Sequence, residues 1–351
     1  MQVQAKKAVV LGLTFLDNIF YDLDRFPELG AEVFARGHAL AIGGIAITAL
    51  NLAKLGLPTA LVTSLGSDLF GQFVREQLEE SGLELVVVPA ADGRTNQSVA
   101  IVCAGERGFL TILADQPGED VLLERWLGRT PGSAGGGGAR CDATAGAGES
   151  VGEGAGPNAG MGIGQGSHLH VGLNGIAAWR AAQKAKGLGM SVSVSISHPS
   201  IALIRQGVVP REELWAASDI IFMNLQEAEA ITGRGGDEMM AELCAAGAKD
   251  GAVTAVTRGA LGAWLAAGNE QLSCGALEVE AVDTTGAGDA FASGFLAGYL
   301  RGRPLRECLA LGVVCGSRST TAVGGVEGVP GSFSEAVELA STLEVVVKGR
   351  C

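Results

Sequence analysis

Gly286, Ala287, Gly288 and Asp289 stand directly before an apolar run in which Phe291, Phe295 and Tyr299 recur every four residues. That spacing predicts a helix with one buried face. Two glycines around a small residue let the backbone turn its N–H groups outward at a helix start. Unpaired donors and the positive end of the macrodipole favour an anion there. A phosphate suits such a site, and so does the charge that develops on one during transfer. Asp289 then sits where a carboxylate takes a proton from a hydroxyl beside that anion hole. An acid in the first turn also stabilises a helix without any chemistry.

The chain carries its own control. Residues 144–149 read TAGAGE, close to the TTGAGD of residues 284–289, but glycine and polar residues flank them and no apolar period follows. That copy reads as low complexity.

Other groups call for positioning elements. Residues 8–13 form an apolar run of strand length, and Asp17 follows just past it, where ligands gather in an open α/β sheet. A turn or capping acid is the plainer role. Gly43 and Gly44 open a helical pattern and let backbone approach a ligand, although they do not match a dinucleotide-binding GxGxxG. Asn224 and Glu227, three apart at a strand-to-helix turn, either aim an amide and a carboxylate into a cleft mouth or form a capping box. Magnesium prefers oxygen ligands and keeps several waters, so Glu227 acting through water is the metal candidate. A strand over residues 252–257 runs into a turn made by Arg258, Gly259 and Gly262.

The string DTTGAGDAFASGF, residues 283–295, resembles the C-terminal signature of the PfkB carbohydrate kinases, the ribokinase-like family. The resemblance implies that Asp289 is the catalytic base and that the Gly286, Ala287 and Gly288 amides form the anion hole. It implies that Asp17, Gly43 and Gly44 bind the acceptor, and that Asn224, Thr257, Gly259 and Gly262 lie near ATP. It ties Glu227 to Mg²⁺, and the GGVEGVP loop of residues 324–330, with Asp283 and Thr285, to a monovalent cation such as K⁺. Two places depart from the pattern. Thr48, a substrate-binding candidate whose hydroxyl can hydrogen-bond the acceptor, stands where many members have a substrate-binding asparagine, and Ser197 and His198 replace an acidic contact.

The implied fold is α/β and ribokinase-like: a mostly parallel central sheet flanked by helices, with a small β-sheet lid from about residues 14–40 and 94–115. The strand-like residues 85–88 are expected in that lid. Arg36, Arg94 and Arg107 lie within it and are candidates for pairing a carboxylate or phosphate. Residues 128–166, dominated by Gly, Ala and Ser, cannot bury enough surface to order themselves and read as a disordered insertion.

Composition narrows the partners. A chain of 351 residues with 47% hydrophobic content and net charge −13 suits one large core, and argues against a nucleic-acid or anionic-membrane binder. No apolar run approaches a membrane span and no signal-peptide pattern opens the chain, so a cytoplasmic protein is expected. Seven scattered cysteines suit reduced thiols. His168 and His170 share one strand face but lack a Cys or acidic cluster to complete a metal site. The serines at 191, 193, 195 and 197 give the strand over residues 190–196 an unusually polar second face.

The expected activity is ATP-dependent phosphorylation of a hydroxyl, a primary alcohol, on a small carbohydrate or sugar acid. The rivals are a nucleoside kinase on the same fold and a non-catalytic regulatory relative. A homodimer through the lid is the expected assembly.

Overall fold

The computed structural model describes residues 6–103, 106–129 and 166–350; the low-complexity segment falls almost wholly outside them. In chain order, Lys7–Leu11 (β1) ends at Gly12, whose φ of 148° turns the chain out of its first sheet and into a second one. Thr14–Tyr21 (β2) and Gly37–Gly44 (β3) belong to that second sheet, and Ala46–Lys54 (α1) returns the chain to Thr59–Leu65 (β4). Leu69–Glu80 (α2) leads to Glu84–Pro89 (β5), and Asn96–Cys103 (β6) and Glu106–Ile112 (β7) complete the second sheet.

Glu119–Leu127 (α3), Ser167–Leu173 (β8), Ile176–Gly187 (α4) and Ser191–Ile196 (β9) restore the alternation. His198–Arg205 (α5), Arg211–Ala216 (α6), Ile220–Asn224 (β10), Leu225–Thr232 (α7), Gly236–Ala248 (α8) and Val253–Thr257 (β11) follow. The chain then runs through Ala263–Ala267 (β12), Glu270–Cys274 (β13), Ala287–Tyr299 (α9), Leu305–Ser319 (α10), Phe333–Ala340 (α11) and Val345–Arg350 (β14).

Among the described residues, ten strands form the large sheet in the order β14-β13-β12-β11-β10-β9-β8-β1-β4-β5. Pairings from β5 to β11 are parallel, and β12 to β14 add an antiparallel edge. The small sheet runs β3-β2-β6-β7. Two apolar clusters, one centred on α9 and α10 and the other on α4 and α8, cover the large sheet's faces, which explains the unbroken apolar runs of β1 and β4.

Asp17 lies just past β1, within β2 of the small sheet, because Gly12 diverts the chain at once. One placement differs from expectation. Residues 84–89 pair in parallel with β4 at the edge of the large sheet rather than joining the small one. A strand that returns through a helix, here α2, pairs in parallel with the strand it left.

The polar face of β9 has a partner. His168 pairs in register with Ser191 and His170 with Ser193, and both rings are fully buried. Ser193 Oγ lies 2.8 Å from His168 Nε2 and 2.8 Å from His170 Nδ1, and Ser191 Oγ lies 3.0 Å from His168 Nδ1. Burial drives His170 down to about 3; burial, with the charge of His170 behind it, holds His168 well below its ordinary value. Both are therefore neutral when folded, while an unfolded chain takes up protons below pH ~6.5. Stability should fall as pH drops from ~6.5 towards 4, by up to ~1.4 kcal/mol per pH unit for each histidine. Urea midpoints across that range should show the slope, and His170→Gln should flatten it.

Cys103, Cys274, Cys308 and Cys315 are free and buried, as expected of reduced thiols, whereas Cys244 on α8 is disulfide-bonded. Among the described residues no helix is long and apolar enough to cross a membrane.

Candidate active site

The start of α9 is built as its sequence demands. Gly286 is the residue before the helix and has φ 72°. A Cβ there would come within 2.7 Å of Ile47 Cδ1 on α1, so both the conformation and the space require glycine. Ala287 donates its N–H to the Thr284 carbonyl at 3.3 Å, which closes the turn. Gly288 faces open space, and a Cβ there would meet nothing within 4 Å.

That open space is a cavity of ≈ 430 Å³. Thr257, Gly259 and Gly262 line one side of it, and Thr284, Ala287 and Gly288 another. Leu277, Val279 and Val313 supply apolar wall. Gly262, at φ 83°, is pressed so closely on the Cys274 carbonyl that a Cβ would overlap it, which fixes the turn after β11 against β13. Size, apolar walls and a helix start on one side suit a nucleotide lying with its phosphates towards Gly288.

Asp289 lies in the first turn of α9 and is partly buried. Burial raises its carboxyl to about 7; the hydrogen bond from Thr48 opposes the rise, and the charges of Asp17 and Glu227 add to it. Three carboxylates from β2, α7 and α9 therefore share one electrostatic neighbourhood. Asp17 is buried and also raised, first by desolvation, with Ser98 donating to its Oδ1 at 2.5 Å against that trend and Asp283 reinforcing it. Gly43 is glycine because the Asp17 carboxylate lies across it: a Cβ would overlap the carboxylate oxygens. Gly44, at φ 70°, makes the tight exit from β3 beneath Phe15 and the Leu13 carbonyl.

Asn224 and Glu227 form a capping box. The Asn224 N–H donates to Glu227 Oε2 at 2.8 Å, and the Glu227 N–H donates to Asn224 Oδ1 at 2.9 Å. Burial raises the Glu227 carboxyl, while nearby His198 lowers it. Glu227 reaches Asp289 through its charge, whereas the exposed Asn224 lies off the cavity wall. Ser197 caps α5 and donates to the Leu173 carbonyl at 2.8 Å.

Asp283 is an organiser. Its Oδ1 accepts the Thr285 N–H at 2.9 Å and its Oδ2 the Gly324 N–H at 3.1 Å. The same loop is held from α1, where Asn51 donates to the Gly325 carbonyl at 3.1 Å and Lys54 to the Val326 carbonyl at 2.9 Å. The Thr285 hydroxyl is buried without a hydrogen-bond partner, an oxygen suited to a cation. Among the described residues no three His, Cys, Asp or Glu side chains group to hold a metal, so a magnesium ion here would rely on phosphate oxygens and water beside Glu227.

Sequence reasoning missed Ser98, Asn51 and Lys54. Ser98 needs the β2–β6 register that sets it opposite Asp17. Asn51 and Lys54 carried a signal, since Thr48, Asn51 and Lys54 recur at three-residue spacing in an otherwise apolar helix. The lid arginines are engaged: Arg36 pairs with Asp22 and Asp24, and Arg94 with Asp92. The Arg107 side chain lies outside the described residues.

Fold and site together define the class, an α/β phosphotransferase of ribokinase-like architecture. The structure of the Methanocaldococcus jannaschii nucleoside kinase, an archaeal member of the ribokinase family, superposes with a TM-score of 0.69 at 19% identity, covering 97% of this chain and 100% of that one. The chain belongs to the pfkB family of carbohydrate kinases, whose profile matches residues 5–127 and 177–331. An uncharacterized sugar kinase of Archaeoglobus fulgidus is 26% identical over 285 residues, 81% of this chain and 99% of the relative. The ATP-dependent ribose-1-phosphate kinase of Halopiger xanaduensis is 26% identical over 297 residues, 84% and 86% of the two chains.

Proposed function

We propose that this kinase transfers the γ-phosphoryl group of ATP to a primary hydroxyl of a small carbohydrate, with Asp289 as general base. The observation that carries this reading is a carboxylate raised to about 7 in the first turn of a helix whose start opens on a nucleotide-sized cavity. Such a group accepts a proton near neutral pH and is ionised often enough to act.

Asp17 and the backbone at Gly43 and Gly44 hold the acceptor, and Ser98 fixes the Asp17 carboxylate. Thr257, Gly259 and Gly262, on the cavity wall, seat the nucleotide, whereas Asn224 caps α7 away from it. Asp289 takes the hydroxyl proton while the amides of Gly286 and Gly288 face the charge growing on the phosphoryl oxygens, the Ala287 N–H being held by the Thr284 carbonyl. Glu227 would hold magnesium with ATP, and the ion would supply further neutralisation of that charge. The small sheet, acting as a lid, excludes water that would otherwise take the phosphoryl group. Asp283 and Thr285 with the loop of residues 324–330 would hold K⁺.

Engagement of Arg36 and Arg94 by their own aspartates favours a neutral acceptor over a sugar acid. A nucleoside is the second reading, because the superposing archaeal enzyme is a nucleoside kinase. The test is ADP release from Mg·ATP with ribose, fructose, ribose 1-phosphate, 2-keto-3-deoxygluconate, adenosine and cytidine, in K⁺ and in choline. Turnover on a neutral sugar, higher in K⁺, is the expected result. Turnover only on a nucleoside selects the second reading, and turnover only on the acid or the sugar phosphate contradicts the neutral acceptor.

A further inference from the structure

We propose that Thr48 is a positioning residue, whose hydroxyl orients the Asp289 carboxylate instead of binding the acceptor. This rests on Asp289 being the base. Thr48 lies on α1, fully buried, and the two acceptors within reach of its hydroxyl both belong to Asp289: Oδ1 at 3.3 Å and the main-chain carbonyl at 3.5 Å. A hydroxyl donates one proton, and a carboxylate accepts it more strongly than a carbonyl does. Among the described residues, Thr48 gives Asp289 its side-chain hydrogen bond.

The platform beneath that hydroxyl is fixed. Ile47, beside Thr48, packs at Gly286. One and two turns further along α1, Asn51 and Lys54 are tied to the Gly325, Val326 and Glu327 carbonyls. The other charged groups that act on Asp289 are Asp17 from β2 and Glu227 from α7, both acidic. Thr48 is thus the side chain that favours the ionised, oriented carboxylate against two groups that favour its protonation. The departure from the family's asparagine becomes intelligible, since a shorter hydroxyl serves the base and leaves the acceptor to Asp17.

The test compares Thr48→Val, Thr48→Ser and Asp289→Asn in the full chain. Steady-state ADP release is measured from pH 6 to 9, and the Asp289 carboxyl is followed by ¹³C NMR, assigned by its loss in Asp289→Asn. Thr48→Val should lower kcat by about tenfold or more, as loss of a hydrogen bond to a charged group does, with both KM values within about twofold. Its acid limb and the carboxyl titration should move up by about one pH unit. Thr48→Ser should restore all of these. A raised acceptor KM with kcat and titration unmoved would assign Thr48 to the acceptor and overturn the proposal. An unchanged titration, or losses in Val and Ser alike with a lowered Tm, would also overturn it. Near-normal turnover in Asp289→Asn would instead remove the base, a separate failure. The NMR arm needs no acceptor, so it decides even where the panel finds none.

Discussion

Asp289→Asn should lower kcat by at least ~100-fold, the scale of a lost general base, while ATP binding measured by calorimetry stays near wild type. Asparagine keeps the shape of the side chain and its contact with Thr48 but cannot take the acceptor's proton. The wild-type kcat/KM profile should rise with pH through an acid limb near 7, the value to which burial lifts this carboxyl. Stability should respond with the opposite sign. The folded carboxyl titrates higher than the unfolded one, so its ionisation opposes folding as pH rises from 3.8 to about 7. The neutral variant escapes that opposition and should be more stable than wild type at pH 8, by on the order of 1–2 kcal/mol after allowing for solvent screening. The gain should vanish near pH 4. A variant both inactive and more stable at pH 8 would mark Asp289 as a group held for function against the preference of the fold. Retained turnover would remove it from the base role.

Gly43→Ala should be nearly as damaging, although it adds one methyl group. The Asp17 carboxylate occupies the space that the new Cβ would need, so Asp17 must swing away and leave Ser98. We expect acceptor kcat/KM to fall by about 30- to 100-fold, the effect of losing a buried hydrogen-bonding partner for the substrate. Most of the loss should fall on the acceptor KM, with the ATP KM little changed. Asp17→Asn should lose activity similarly, and the double variant should be no worse than the poorer single one, because both remove the same carboxylate from the same place. Additive losses would show that Gly43 acts independently of Asp17.

The helix start at Gly286 was legible because a strained turn, small residues and an apolar period of four coincide over a few positions. The capping box was equally local, and the bonds that fix α7 involve the carboxylate whose charge acts on Asp289. What the chain hides is pairing at a distance. Ser98 is one serine in an alternating strand until β6 is laid against β2. Thr48 looked like a substrate ligand because its partner lies 241 positions away. The 84–89 strand was assigned to the wrong sheet for a related reason: a short apolar run states that it will be buried, not beside which edge. The serines of β9 were read as oddly polar because the histidines that bond them lie on β8.

The clasp between α1 and the 324–328 loop bears on the order in which the site is made. Asn51 and Gly325 are 274 positions apart, and Lys54 and Val326 are 272 apart. During synthesis the acceptor side leaves the ribosome long before α9 and the loop that secures it. Contacts of such sequence separation form late. A nascent chain that has not yet reached Gly325 therefore lacks the partners that hold α1 from the far side, so the two distant ends of the site meet only when the C-terminal part of the chain is present.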